Sequence, residues 1–210
     1  MAYDLEEQEQ LESLKAWWRQ YGNALTWLVI AGLLVFAGWN GWKYWQRKQA
    51  AEAAVLYEQV LKAADARDAA LLKRAAGDLE EKFGKTAYGP MSALVAAKVL
   101  YDAGDLATAK TQLQWAIDHG NAEYASLARV RLAGLLLDEK AYDQGLALLA
   151  GEPPAAFAAL YADRRGDLLA AQEKRADARA AYQQAIDKLG GGDAAMRQII
   201  QFKLDALGTA

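Results

Sequence analysis

The sequence predicts an all-α protein: a single N-terminal transmembrane helix followed by a stack of paired helices. Three observations carry that prediction. The 23 residues between Arg19 and Lys43 contain no formal charge. Only 3 of 210 residues are proline and runs of Val, Ile and Thr are scarce, so local preference favours helix throughout. From about Gln49 onward, apolar residues recur at three- and four-residue intervals, the period of a helix with one buried face.

The first element is the span. Ala24 to Trp39 is apolar apart from Thr26, and 23 residues at about 1.5 Å each reach roughly 34 Å, enough to cross a hydrocarbon layer of about 30 Å. Six of the seven tryptophans lie between positions 17 and 45, with Trp17, Trp18 and Tyr21 at one end and Trp39, Trp42, Tyr44 and Trp45 at the other, where membrane interfaces favour amphipathic rings. A cleaved signal peptide would begin with a basic segment. Here Asp4, Glu6, Glu7, Glu9 and Glu12 outnumber Lys15 and Arg19, so residues 1–20 read as a short acidic terminus and 21–45 as an uncleaved signal anchor. Within the span, Ala31, Gly38 and Gly41 recur at near-helical intervals and Asn40 adds an amide, a pattern that lets a second transmembrane helix approach closely.

Residues 46–210 form the second part. Breaks are expected at Gly89-Pro90, Gly104-Asp105, Gly120-Asn121, Pro153-Pro154 and Gly190-Gly191-Gly192, leaving helices of roughly 12 to 20 residues. Asp193 suits the cap of the last helix. Ahead of Met91, Ala53–Ala66 and Asp68–Phe83 are expected to form an irregular capping pair.

The pairs carry an internal repeat. Ala109, Leu113 and Ala116 keep a 4-then-3 spacing that returns at Ala178, Tyr182 and Ala185, with Gly145 and Leu149 as a weaker middle copy. Small residues Ala97, Ala133 and Gly166 stand 12 positions before Ala109, Gly145 and Ala178. Close helix crossings demand small side chains, so the pattern predicts a tetratricopeptide-like α-solenoid of about 34 residues per repeat. The aromatic residues typical of its first helices are missing: Ala93, Arg129 and Ala162 occupy the expected Trp positions.

Composition narrows the function. With 24 Lys+Arg against 27 Asp+Glu, the net charge of −3 lacks the basic excess that nucleic acid requires. No cysteine and one histidine remove thiolate chemistry and the usual zinc sites, so no metal, cofactor, small-molecule substrate or catalytic residue is assigned. Gly84-Lys85-Thr86 lacks the leading glycine of a phosphate loop and follows a helical pattern. His119 is expected at a helix C-terminus, meeting free carbonyls, and Glu80-Glu81 and Asp138-Glu139 read as solvated helix edges. The expectation is a non-catalytic interaction protein whose concave face, built by the first helices of the pairs, receives partners. By repeat geometry that groove would present Met91, Leu94, Lys98, Tyr101 and Asp102, then Leu127, Val130 and Leu137, then Leu160, Asp163 and Asp167. That mixture is apolar and acidic, suited to extended, partly hydrophobic or basic segments, unless the C-terminal helix Asp193–Leu207 fills it.

The acidic start, the single span, the sequence Gly41-Trp42-Lys43-Tyr44-Trp45 after it, the Tyr88-Gly89 turn and the degenerate repeats together resemble the YfgM family, ancillary subunits of the bacterial SecYEG translocon. The resemblance implies a single-pass inner-membrane protein embedded in the lipid bilayer, with a cytoplasmic N-terminus and a periplasmic C-terminal domain. It implies the SecYEG translocon and the membrane-anchored periplasmic chaperone PpiD as partners, and a part in passing exported polypeptides to periplasmic chaperones. Flanking charge alone, Lys15 and Arg19 before the span against Lys43, Arg47 and Lys48 after it, slightly favours the reverse orientation, but large domains cross largely irrespective of nearby charge. The alternative within the binding class is a membrane-anchored scaffold for envelope assembly or stress-response signalling.

Overall fold

A computed structural model describes residues 3–208, with side chains described from residue 9 onward. Every regular element among them is helical: α1 (Tyr3–Asp65), α2 (Ala69–Phe83), α3 (Tyr88–Asp102), α4 (Leu106–His119), α5 (Ala122–Asp138), α6 (Tyr142–Leu148), α7 (Ala158–Ala171), α8 (Arg175–Leu189) and α9 (Ala194–Ala206), with a 3-10 turn at Ala155–Phe157 before α7. The chain divides into two units, Met1–Gln49 and Ala50–Ala210.

In the first unit, the apolar side chains from Leu11 to Trp45 stand exposed around the helix, as in a segment whose solvent is lipid. This is the one helix among the described residues long and apolar enough to cross a membrane. Two of its polar side chains bond locally: Thr26 Oγ1 donates to the Gly22 carbonyl at 2.7 Å and Asn40 Nδ2 to the Phe36 carbonyl at 3.0 Å. Hydrocarbon offers no other acceptor, so a polar group there must bond within the helix or to a neighbour. Aromatic contacts sit at both ends, with Trp17 against Tyr21 at 5.8 Å, Trp42 against Trp45 at 5.4 Å, and the Lys43 ammonium 5.1 Å from the centre of the Trp39 ring.

The second unit is a stack of helix pairs: the last part of α1 with α2, then α3 with α4, α5 with α6, α7 with α8, and α9 closing the end. One turn recurs. Asp68, Asp105, Ala141 and Lys174 donate their backbone N–H groups to the carbonyls of Ala63, Leu100, Leu136 and Leu169 at 2.8–3.0 Å. Each bond closes a Schellman turn around a residue at positive φ: Arg67 (53°), Gly104 (82°), Lys140 (61°) and Glu173 (64°). Gly208 (76°) ends α9 in the same conformation. The five positions are separated by 37, 36, 33 and 35 residues, so they mark the repeat and give α9 the place of a first helix.

Counting from these turns aligns the crossings. Ala97, Ala133 and Gly166 stand seven positions before the turns and Ala109, Gly145 and Ala178 five after them, all buried. In the first pair Val60 and Leu72 occupy the same positions, both fully buried, and the small residue moves one turn along to Ala76. The expected capping pair is thus irregular in its packing and regular in its turn. Asp68, Asp105, Asn121 and Asp193 cap α2, α4, α5 and α9 by accepting backbone N–H bonds.

Three boundary expectations need correction. The break before α3 lies at Gly84–Ala87, and Gly89 and Pro90 sit inside the first turn of α3, where the missing proline N–H costs nothing. Gly89 is required by crowding, because a Cβ there would lie 2.8 Å from the Gly84 carbonyl oxygen and 3.0 Å from the Trp115 ring. Breaks at 139–141 and 172–174 carry no glycine; Lys140 and Glu173 take the left-handed conformation instead. Finally, α6 has 7 residues rather than 12 or more, because Gly151 and Pro153-Pro154 follow too soon for another turn.

Two glycines test the packing. A Cβ on Gly166 would stand 2.4 Å from the Tyr182 ring, which is 3% exposed and held by its hydroxyl donating to Asp167 at 2.9 Å. Gly166→Ala should therefore destabilise the helical unit by about 1–3 kcal/mol despite its better helix propensity. A Cβ on Gly77, inside α2, meets nothing within 4 Å, and Gly77→Ala should stabilise by about 0.5–1 kcal/mol. Equilibrium denaturation of both variants, followed by circular dichroism, checks the opposite signs.

Candidate functional site

The concave face is built by the last part of α1 and by α3, α5, α7 and α9, and its side chains fall in rows counted back from each turn residue. Nine positions before the turns stand Glu58, Val95, Arg131, Arg164 and Ile199; six before stand Leu61, Lys98, Gly134, Asp167 and Phe202. Between α3, α5 and α7 these rows open a cleft of about 390 Å³, lined by Lys98, Tyr101, Arg131, Gly134, Asp138 and Arg164 among others.

Cross-helix polar contacts fix the rows. Tyr101 donates its hydroxyl to Asp138 at 3.0 Å, and Arg131 Nη1 donates to the Leu94 carbonyl at 3.1 Å. Hydrogen bonding to Asp138, together with its charge, raises the Tyr101 pKa. Lys98 pairs with Asp102 one turn along. At the far end, Lys203 of α9 donates to both carboxyl oxygens of Asp163, at 2.8 and 2.9 Å, and lies 2.8 Å from Asp167. Burial raises the Asp163 pKa and Lys203 opposes that rise. Burial, with Asp167 as its acceptor, pushes the Tyr182 hydroxyl far up.

Of the groove residues expected from sequence, the cleft brings together Lys98 and Tyr101. Leu94 and Val130 turn inward, 5% and 7% exposed, because they join the apolar clusters between the helices. Met91, Leu127, Leu137 and Leu160 are half-buried, the last three packed against the core. Asp163 is 9% exposed and Asp167 half-buried, both bound to Lys203, so they hold α9 in place. The face is also not apolar and acidic as expected. Arg131 and Arg164 line it, and the sequence pattern does not reveal them because the turns at 140 and 173, which fix their rows, contain no glycine. Nor does α9 fill the cleft: Ile200 and Leu204 pack against Ala162, Tyr182 and Ile186 at the end of the stack. In the first unit, Ala31, Gly38, Asn40 and Gly41 all stand exposed, with open space beside Gly38 and Gly41, and Asn40 bonds its own helix.

On the other face, Glu80 of α2 departs from a solvated helix edge. Its Oε1 and Oε1 of Gln112 on α4 are buried without a hydrogen-bond partner. Desolvation pushes the Glu80 carboxyl up to about 7, moderated by Gln112 and His119. A proton on Glu80 supplies the donor these oxygens lack. His119 ends α4 as expected, its Nδ1 3.0 Å from the Trp115 carbonyl oxygen and its ring stacked on Trp115 at 4.3 Å. Among the described residues no three His, Cys, Asp or Glu side chains gather as a metal site.

The repeated turn, the small-residue crossings and the family model agree: the tetratricopeptide repeat-like domain model matches residues 15–209. The chain belongs to the tetratricopeptide repeat-like domain family. Relatives match over nearly their full length. The ancillary SecYEG translocon subunit of Neisseria gonorrhoeae is 32% identical over 212 residues, 99% of this chain and 100% of its own. The proteins of the same name in Haemophilus influenzae and Escherichia coli are each 27% identical, covering 99% and 96% of this chain and 100% and 96% of their own. These are the relatives expected from the span, the aromatic sequence after it and the degenerate repeats of this tetratricopeptide repeat-like chain.

Two outcomes follow. Lys203→Met leaves Asp163 without its close cation and Asp167 with Arg164 alone at a partly buried site, and should cost up to about 3 kcal/mol and loosen α9, read as faster amide exchange in Ala194–Ala206. For Glu80, the folded carboxyl keeps its proton up to about 7 while the unfolded one releases it near its ordinary 4.5, so stability should fall as pH rises through that interval and level off above it. Glu80→Gln should flatten the fall; melting temperatures from pH 4 to 8 check it.

Proposed function

We propose that this protein is an ancillary subunit of the SecYEG translocon in a bacterial inner membrane, with a single span and a non-catalytic helical domain that binds partners. The observation that carries this reading is similarity along the whole chain to relatives named ancillary SecYEG translocon subunits, anchor included. The fold supports a binding role: rigid helices carry an open cleft, and the tetratricopeptide repeat-like architecture offers its concave face for recognition.

The finer reading places the N-terminus in the cytoplasm and the helical domain in the periplasm. There the domain engages PpiD and links emerging polypeptides to periplasmic chaperones. Tethering raises the local concentration of the groove near its clients without any new contact. The exposed Ala31, Gly38 and Gly41, with the second amide N–H of Asn40, offer the span a surface for a translocon helix.

A photo-crosslinking side chain at Tyr101 or Phe202 should capture a periplasmic partner or an exported polypeptide, one at Gly38 should capture a translocon subunit, and one at Leu71 on α2 should capture neither. A reporter active only in the cytoplasm, fused after the last residue, should be silent. Strong reporter activity overturns the orientation, and absence of translocon adducts from the span overturns the association.

A further inference from the structure

The carboxylates around the cleft are already engaged: Asp102 by Lys98, Asp138 by the Tyr101 hydroxyl, and Asp163 and Asp167 by Lys203. The two arginines keep donors to spare. Among the described residues Arg131 has no carboxylate within 4.0 Å and makes one bond, to the Leu94 carbonyl. Partial desolvation without an anion pulls its pKa below the usual guanidinium value. Arg164 pairs with Asp167 at 3.2 Å, yet its Nε is buried with no acceptor.

Gly134 lies between the two arginines. It follows Arg131 by one turn, and a Cβ there would stand 3.6 Å from the Arg164 guanidinium carbon, so the missing side chain leaves that plane uncovered toward the cleft. Two forks with spare donors beside an open floor suit a carboxylate. Toward α9 the same two rows turn apolar: Ile199 continues the Arg131–Arg164 row and Phe202 the Gly134–Asp167 row, 58% and 75% exposed. Packed helices lie about 8–10 Å apart and an extended chain advances about 3.3 Å per residue, so one helix step corresponds to about three residues.

We propose that the concave face receives an extended segment of another protein that presents an acidic side chain to Arg131 and Arg164 and, about three residues away, a bulky apolar side chain to Ile199 and Phe202. This rests on the reading of the cleft as the partner-binding face and names the chemistry it selects. An acidic side chain within the segment is the occupant, because the cleft continues past the arginines to Tyr101 on one side and the same rows carry the exposed Ile199 and Phe202 on the other.

The test uses the full chain in detergent and labelled ten-residue peptides with blocked ends, carrying Asp-Ala-Ala-Phe in a Gly/Ser background, or with Asn for Asp, or with Ser for Phe. Fluorescence anisotropy should show the Asn peptide binding about tenfold more weakly, as expected for loss of a charge-assisted hydrogen bond, and the Ser peptide more weakly as well. Arg131→Gln should erase the Asp–Asn difference and Phe202→Ser the Phe–Ser difference. Both variants should melt like the parent, since Phe202 is exposed and Arg131 makes a single backbone contact. Equal binding of the Asp and Asn peptides overturns the inference and leaves the groove reading standing if Tyr101 adducts persist. No binding of any peptide overturns it too, and the groove reading falls with it only if those adducts are also absent. A dimer abolished by Phe202→Ser would place a second copy on the apolar end and likewise overturn it.

Discussion

Close approach at the helix crossings is the constraint on which the helical unit depends. Where Gly166 lies under the Tyr182 ring and Gly145 under Leu168, the facing side chain comes so near the glycine that an added methyl meets it at 2.4 and 2.8 Å. Each crossing fixes the angle of a pair, each pair sets the next, and the concave rows inherit their alignment from that series. Tyr182 shows the coupling directly. Its ring fills the space that Gly166 leaves, and its hydroxyl holds Asp167, which in turn binds Lys203 of α9. A packing choice in the core of the fourth pair thereby orders the end of the stack.

The two units solve opposite solvation problems. In the first, apolar side chains face outward and the polar groups Thr26 and Asn40 fold back onto helix carbonyls, because lipid leaves them no other acceptor. In the second, apolar side chains face inward and polar ones organise the surface into engaged and unengaged charge. Arg131 of α5 has no carboxylate partner and Arg164 of α7, paired with Asp167, keeps a buried Nε without an acceptor, which gives the cleft a chemistry beyond shape. Glu80 is a separate case, a carboxyl on α2 near Gln112 of α4 whose pKa burial raises to about 7, away in sequence and in role from the arginines.

What could be read from the sequence depended on whether a local signal existed. The span was legible because 23 uncharged residues bounded by tryptophans match a lipid layer with two interfaces and suit little else. The crossings were legible because Ala109, Ala178 and their partners keep a fixed spacing that only close packing requires. The turns at Lys140 and Glu173 were not, because glycine is the usual mark of positive φ and here tertiary packing holds other residues in that conformation. Leu94 and Val130 stand ten positions before their turns, one residue off the row of Arg131 and Arg164, so repeat counting put them on the open face and missed the two arginines.

By itself, then, the sequence determined a helical chain with one apolar segment long enough for a membrane, the repeat period, the crossing residues and the family. Those are properties of spacing and composition, which act along the chain and survive as a one-dimensional pattern. Only the tertiary structure decided which residues face the cleft, that α9 extends the stack, that Asp163 and Asp167 are bound to Lys203, and that Glu80 is buried against Gln112. Each of those depends on what a side chain meets across a gap between helices, and a rotation of about 100° per residue moves it from solvent to core without altering the pattern of the sequence.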